Sequence, residues 1–119
     1  MKIAVTSKGK DLDSEVDPRF GRAAYILVVD TDSFEFEVLD NAENVNAFKG
    51  AGIQAAAMVS DKGAGVLLTG FCGPNAFKTL EAAKIKVAND AKGTVREAVE
   101  AFNEGSFSFA EGANVEGHW

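Results

Sequence analysis

The chain has very little of the residues that build disulfides, metal sites and hydrolytic catalysts. Cys72 is the only cysteine and His118 the only histidine among 119 residues. One cysteine excludes an internal disulfide framework and is typical of a reducing compartment. Because neither residue has a second histidine or cysteine near it, the sequence shows no machinery for a zinc site or for nucleophilic hydrolysis.

Long apolar runs and an excess of positive charge are also missing. No stretch approaches the roughly 20 apolar residues of a membrane span, and residues 1–6 turn polar too soon for a signal peptide. We therefore expect a cytoplasmic protein that does not contact a membrane. Twelve basic against 18 acidic side chains give a net charge of -6, which repels a phosphate backbone and makes nucleic acid an unexpected partner. A small anion bound locally remains compatible with this charge.

The length and the 46% hydrophobic content predict a single compact domain. Apolar periodicity and turn residues predict strands at 2–6, 25–30, 34–39, 66–69 and 85–88, and helices at 50–61, from 74 onward, and from 95 to a stop at Gly105. The last helix begins with capping-box spacing at Thr94 and Glu97. We expect the domain to span residues 1–105, with residues 106–119 as a loosely ordered tail.

This order of elements predicts an α/β fold with helices covering a five-stranded mixed sheet, in which the second strand is antiparallel to the others. The loops that start at Ser7, Asp40, Thr69 and Asn89 should then leave the same edge of the sheet. If the sheet grows outward from the first strand in both directions, the loops after Ser7 and Thr69 flank its switch point. Open α/β sheets bind ligands at such a point.

A 17-residue loop without helical or strand pattern, residues 7–23, ends in the segment Pro18-Arg19-Phe20-Gly21-Arg22-Ala23. Loops of this length in small domains are usually functional. Two guanidinium groups within four residues can meet an anion from two directions, and Gly21 allows close approach of the backbone. The segment predicts an anion clamp. The alternative is that both arginines are solvated charges that offset neighbouring acids.

A second glycine-bearing turn, residues 69–76, leads from a strand into a helix. Backbone donors and the positive dipole end make a helix start suitable for an anion. Alternatively, the glycines only form a tight turn and Asn75 only supports the helix start. Cys72 is a candidate metal ligand, although a lone cysteine is more often a small buried hydrophobe, and the identity of any metal stays open. The candidate binding residues are Ser7, Lys8, Arg19, Phe20, Gly21, Arg22, Thr69, Gly70, Cys72, Gly73 and Asn75, with Lys10 and Lys49 as further contributors.

Together with the first strand, these two segments resemble the family of small proteins related to dinitrogenase iron-molybdenum cofactor biosynthesis factors, up to about Gly105. The resemblance implies a ribonuclease H-like three-layer α/β/α sandwich and a molybdenum-copper sulfide cluster as cofactor. Ribonuclease H-like nucleases need a carboxylate on the first strand, and residues 2–6 contain none, so the shared fold does not imply shared catalysis.

Carriers of the nitrogenase branch of this family have a histidine ligand directly before the Phe-Gly pair, where this chain has Arg19. The resemblance therefore implies electrostatic capture of a finished, sulfide-capped anionic cluster by Arg19 and Arg22. Phe20 would then supply apolar cover, and the turn from Thr69 to Asn75 would supply backbone donors.

Three functions follow from these patterns. The first is a non-enzymatic binding protein for an anionic metal-sulfide cluster. The second is a regulatory or assembly module that docks a partner protein, suggested by the aromatic tail and by Phe20 and Phe71. The third, an enzyme acting on a small phosphorylated substrate, rests only on the anion-friendly turn.

Overall fold

The structure, a computed structural model, describes residues 1–41 and 51–110. The described elements, in chain order, are β1 (Lys2–Ser7), β2 (Tyr25–Asp30), β3 (Phe36–Asp40), α1 (Ala51–Asp61), β4 (Val66–Leu68), α2 (Pro74–Ala82), β5 (Lys86–Ala88) and α3 (Val95–Asn103). The strands form one sheet in the order β3-β2-β1-β4-β5. β1, β4 and β5 pair in parallel, whereas β2 is antiparallel to both of its neighbours. The predicted five-stranded mixed sheet is confirmed.

The two faces of the sheet pack against different helices because side chains alternate along each strand. Ala4 of β1 belongs to the buried cluster that contains residues of α1 and α2. Its neighbours Ile3 and Val5 belong to the cluster that contains residues of α3. The sheet is thus the middle of three layers, with α1 and α2 on one face and α3 on the other.

Helix α3 is fixed by both its packing face and its start. Val95, Ala98 and Val99 are buried, which matches the i, i+3, i+4 spacing of one helix face. At the start, the backbone N–H of Glu97 donates to Thr94 Oγ1 at 3.1 Å, and the backbone N–H of Thr94 donates to Glu97 Oε1 at 2.9 Å. The predicted capping box is present.

Strand β3 begins two residues later than its alternation predicts, at Phe36 instead of Phe34. Phe34 has a left-handed φ of 61° and lies in the turn, where its N–H donates to the carbonyl of Asp30 at 2.9 Å. The Asp30 carboxylate also accepts from the backbone N–H groups of Asp32 and Ser33. The hydrogen bonds from Asp32 and Ser33 to this carboxylate lower the pKa of Asp30.

Four strands end at one edge of the sheet, which we call the carboxyl edge. The chain leaves it after Ser7, Asp40, Leu68 and Ala88, as the element order predicts. Beyond α3, Phe109 forms a single antiparallel bridge with Ala88. The loosely ordered tail predicted for residues 106–119 stays a prediction, since residues 111–119 lie outside the described part of the chain. Lys49 and His118 also lie outside it.

Candidate functional site

Two segments meet at the carboxyl edge: residues 18–22, which we call the arginine loop, and residues 69–75, which we call the glycine turn. The backbone N–H of Phe71 donates to the carbonyl of Pro18 at 2.6 Å, and the N–H of Phe20 donates to the carbonyl of Phe71 at 3.1 Å. Arg19 and Phe71 form a parallel β-bridge. The two segments that the sequence singles out are therefore joined by their backbones into one surface.

Gly70 makes this contact possible. A Cβ atom at this position would lie 2.8 Å from both the Cβ atom and the carbonyl oxygen of Pro18. Real Cβ atoms essentially never approach backbone so closely, so any side chain here would push the arginine loop away from the glycine turn. Gly70 is thus required by the contact between segments and not by a positive φ.

The buried hydroxyls of Thr6 and Thr69 form a hydrogen bond next to the glycine turn. The Thr6 hydroxyl donates to the carbonyl of Asp17 at 2.5 Å and lies 2.9 Å from Thr69 Oγ1. The N–H of Asp17 donates in return to the carbonyl of Thr6 at 3.0 Å. Both threonines are fully buried. Thr69, a predicted binding residue, is therefore linked to β1 through Thr6 and offers no side-chain surface.

Arg19 is held at its base and exposed at its tip. The buried Asp17 carboxylate accepts from the backbone N–H of Arg19 at 3.0 Å and from its Nε at 3.4 Å. The Arg19 side chain is 48% exposed. Within the described ranges its two terminal nitrogens have no hydrogen-bond or ion-pair partner. The guanidinium fork can therefore donate to an anion while Asp17 fixes its orientation.

Arg22 follows a tight turn that Gly21 makes possible. The N–H of Arg22 donates to the carbonyl of Arg19 at 3.2 Å, and Gly21 adopts a φ of 91°, which only glycine adopts readily. The buried side chain of Asn41 donates from Nδ2 to the carbonyls of Gly21 and Ala23 at 3.3 and 2.8 Å. Asn41 thereby fixes the end of the arginine loop, with Arg22 partly buried beside it.

Helix α2 begins directly after the glycine turn. Gly73 is its N-cap residue, which supplies no side-chain cap, and Pro74 occupies the first helical position. Among the described residues, none accepts a hydrogen bond from the N–H groups of Asn75 or Ala76. These two donors and the positive end of the helix dipole are therefore available to an anion.

Cys72 faces the core. It is fully buried in the cluster between the sheet and the helices α1 and α2. Burial raises the pKa of this thiol to about 12, opposite to the thiolate that a helix start would favour. At neutral pH the side chain is a neutral thiol that packs as a small apolar group. No cluster of three or more His, Cys, Asp or Glu side chains suited to a metal occurs in residues 1–41 and 51–110.

Phe20, predicted as apolar cover for a ligand, points the other way. Its side chain is 0% exposed and lies in the core, so it anchors the arginine loop from beneath and cannot cover a ligand in this structure. Phe71 of the glycine turn is 39% exposed instead. Both aromatic residues lie next to glycine-bearing turns, and the local sequence carries no sign of which ring points outward.

Three further candidates are engaged away from the arginine loop. Ser7 is buried, and its hydroxyl donates to the carbonyl of Gly9 at 2.8 Å. Lys8 forms an exposed ion pair with Glu15 at 3.5 Å. The Lys10 ammonium lies 5.5 Å from the centre of the Tyr25 ring. The structure therefore brings together Arg19, Gly21, Arg22, Gly70, Gly73 and Asn75, and it adds two residues that sequence patterns missed, Asp17 and Asn41.

The fold and site define a small α/β protein in which the Arg19 guanidinium and the N–H groups at the start of α2 lie at the carboxyl edge of the sheet. A family model described as dinitrogenase iron-molybdenum cofactor matches residues 1–105. The chain belongs to this family, as its motifs predict. In the described ranges, every helix is too short or too polar to cross a bilayer.

Solved structures show the same relationship. The chain is 50% identical to the orange protein from Desulfovibrio gigas, solved in its apo form, with 96% of each chain covered and a TM-score of 0.93. It is 40% identical to a NifB-like protein of the DUF35 family from Thermotoga, with 91% of each chain covered and a TM-score of 0.78. A protein from Methanocaldococcus jannaschii, 17% identical, shares the fold with a TM-score of 0.69, covering 94% of this chain and 96% of its own. A search of curated protein sequences found no match.

Proposed function

We propose that this protein binds an anionic metal-sulfide cluster of the molybdenum-copper sulfide type, and that it acts as a carrier and not as an enzyme. The observation that carries the proposal is the backbone bridge between the arginine loop and the glycine turn. This bridge pairs Arg19 with Phe71, three residues before the first residue of α2, whose N-cap glycine supplies no side-chain cap. Membership of the cofactor family and the similarity to the apo orange protein support a role with a metal cluster.

The groups assembled at this edge are suited to an anion whose metals are already coordinated. The terminal nitrogens of Arg19 and the N–H groups of Asn75 and Ala76 are donors, and Arg22 adds a second positive charge. Cys72 is fully buried in the core, so its sulfur is not presented at this surface. A sulfide-capped cluster needs only such charge and donors from the protein, because its sulfides already complete the coordination of its metals.

The acidic balance of the whole chain does not oppose this site. Exposed charges are largely screened beyond about 8 Å at physiological ionic strength, so distant acidic side chains have little effect on the field at the arginines and the start of α2. Asp17 offsets part of the charge of Arg19, but its carboxylate is buried behind the guanidinium. A cytoplasmic location, inferred from the single cysteine, is part of this proposal.

Reconstitution of the purified protein with tetrathiomolybdate and copper(I) tests the function. Visible absorption and elemental analysis of the desalted protein would measure uptake. We expect a stable chromophore containing both metals. The Arg19→Gln/Arg22→Gln variant should bind at least about tenfold more weakly, because hydrogen bonds to charged groups contribute about 1.5–3 kcal/mol each.

The matched control is the Lys62→Gln/Lys84→Gln variant, which changes the net charge equally. Lys62 and Lys84 follow α1 and α2, at the opposite edge of the sheet. This variant should take up the cluster as the unmodified protein does. Equal losses in both variants would show a general charge effect, and an unmodified protein that takes up neither metal would refute the proposed function.

A further inference from the structure

Phe71 lies within the proposed anion site, so an inference about its role rests on the proposed function. Phe71 is 39% exposed, although its backbone is held on both sides by hydrogen bonds to the arginine loop. The exposed part of this residue is apolar surface that a ligand can cover.

The β-bridge between Phe71 and Arg19 sets the direction of the two side chains. Residues paired across neighbouring strands project their side chains to the same side. The bridge therefore directs the side chains of Phe71 and Arg19 to the same side of the paired segments. The start of α2, which follows Phe71 by three residues, completes a surface that combines positive charge, backbone donors and apolar area.

We infer that Phe71 makes this site selective for sulfide-terminated anions over oxide-terminated anions of the same charge and shape. Arginine and backbone donors attract either kind of anion, because both carry negative charge. Terminal sulfides are larger, more polarisable and less strongly hydrated than terminal oxides. Sulfur atoms make favourable contacts with aromatic rings, often at the partly positive ring edge. Only the sulfide-terminated anion therefore gains from Phe71.

Tetrathiomolybdate and molybdate form a matched pair of probes, since both are tetrahedral dianions of molybdenum. Equilibrium dialysis of the full chain against each anion, with molybdenum measured by elemental analysis, gives the two dissociation constants. We expect Phe71→Ala to weaken tetrathiomolybdate binding by roughly 3- to 10-fold, which lies within the range of a sulfur-aromatic contact. Molybdate binding should stay within about twofold. Arg19→Gln should weaken the binding of both anions by similar factors, since charge does not distinguish sulfide from oxide.

Phe71→Leu is the matched variant, because it keeps apolar bulk and removes the ring. It should retain part of the preference for tetrathiomolybdate. Circular dichroism checks that each variant is folded, and no hydrogen bond of the bridge uses the Phe71 side chain. Phe71→Ala could weaken the binding of both anions equally, or of neither while the unmodified protein binds tetrathiomolybdate. Either result would show that Phe71 does not make the site selective, and the proposed function would stand. If the unmodified protein binds neither anion and forms no copper-containing chromophore, both proposals are wrong.

Discussion

Helices α2 and α3 both begin at the carboxyl edge, but they use their first backbone N–H groups in opposite ways. At α3, the N–H groups of Val95 and Arg96 donate to the carbonyls of Ser14 and Leu12 at 2.9 and 2.8 Å. A capping box occupies the donors that remain. At α2, the cap is a glycine and the first position a proline. The N–H groups of Asn75 and Ala76 have no acceptor among the described residues.

The two helix starts therefore differ in whether their first N–H groups already have acceptors in the protein. Carbonyl groups of the loop before the arginines accept hydrogen bonds from the first N–H groups of α3, so this helix start stabilises the packing of the loop. The first N–H groups of α2 have no acceptor among the described residues. Farther along the same loop, Arg19 pairs with Phe71, which precedes α2 by three residues. A helix start is a ready anion site only where the protein has not already satisfied it.

The largest effect should come from separating the two segments at α2. We expect Gly70→Ala to lower the free energy of unfolding by about 3 kcal/mol, because the new Cβ atom would overlap the backbone of Pro18. Urea denaturation measures this change. Gly65→Ala is the control, since its Cβ atom would have only an ordinary contact of 3.9 Å, with Met1, and should stay within about 0.5 kcal/mol. Equal changes in both variants would show that the close approach is not needed.

The next effect should come from the amide that closes the arginine loop. Asn41→Ala leaves the buried carbonyls of Gly21 and Ala23 without their donor, and we expect a loss of about 2 kcal/mol in unfolding free energy. Asn103→Ala removes one similar bond, to the Thr31 carbonyl, at the opposite edge. It should cost about 0.5 kcal/mol because Asn103 is exposed. Tetrathiomolybdate and copper uptake should fall only for Asn41→Ala, and a fall for Asn103→Ala would contradict a local role.

Opening the start of α3 should affect stability without affecting binding. Thr94→Ala removes the capping box and should lower the free energy of unfolding by about 1 kcal/mol. Cluster uptake, measured by visible absorption on the folded variant, should equal that of the unmodified protein. Loss of uptake comparable to the Arg19→Gln/Arg22→Gln variant would show that the two helix starts are not functionally separate.

The smallest effect concerns Cys72, just before α2. Its pKa is raised by burial from 9.0 to about 12, so its contribution to stability is complete below pH 9 and is lost as the pH rises toward about 12. Near pH 9.5 the unmodified protein should have lost about 0.8 kcal/mol relative to its value at pH 7, beyond any loss in Cys72→Ala. Urea denaturation across this pH range measures the difference. Parallel pH profiles for the two proteins would mean that the thiol ionises normally.

Much of the fold could be predicted because its signals are local. The buried runs of β1 and β2 and the spacing of Val95, Ala98 and Val99 are visible within a few residues of sequence. The position of the site also follows from element order, because crossover rules bring the ends of parallel strands to one edge. These rules place the arginine loop and the glycine turn at that edge without any knowledge of contacts.

The details of the site depend on contacts between distant parts of the chain. Asn41 closes a loop whose carbonyls lie 18 and 20 residues earlier, and no local pattern marks that partnership. The opposite orientations of Phe20 and Phe71 follow from the backbone bridge between their segments, which local sequence does not encode. The burial of Cys72, which raises the pKa of its thiol, depends on packing between the sheet and two helices that the local sequence does not show.

An amide-resolved NMR titration of the apo protein with tetrathiomolybdate and copper(I) tests most directly whether the cluster binds at the start of α2. We expect the largest changes at the amides of Asn75 and Ala76 and in the arginine loop. The amides of Val95 and Arg96 should not change, because carbonyls of the protein already occupy them. Changes centred on the start of α3, or spread evenly over the surface, would contradict binding at the start of α2.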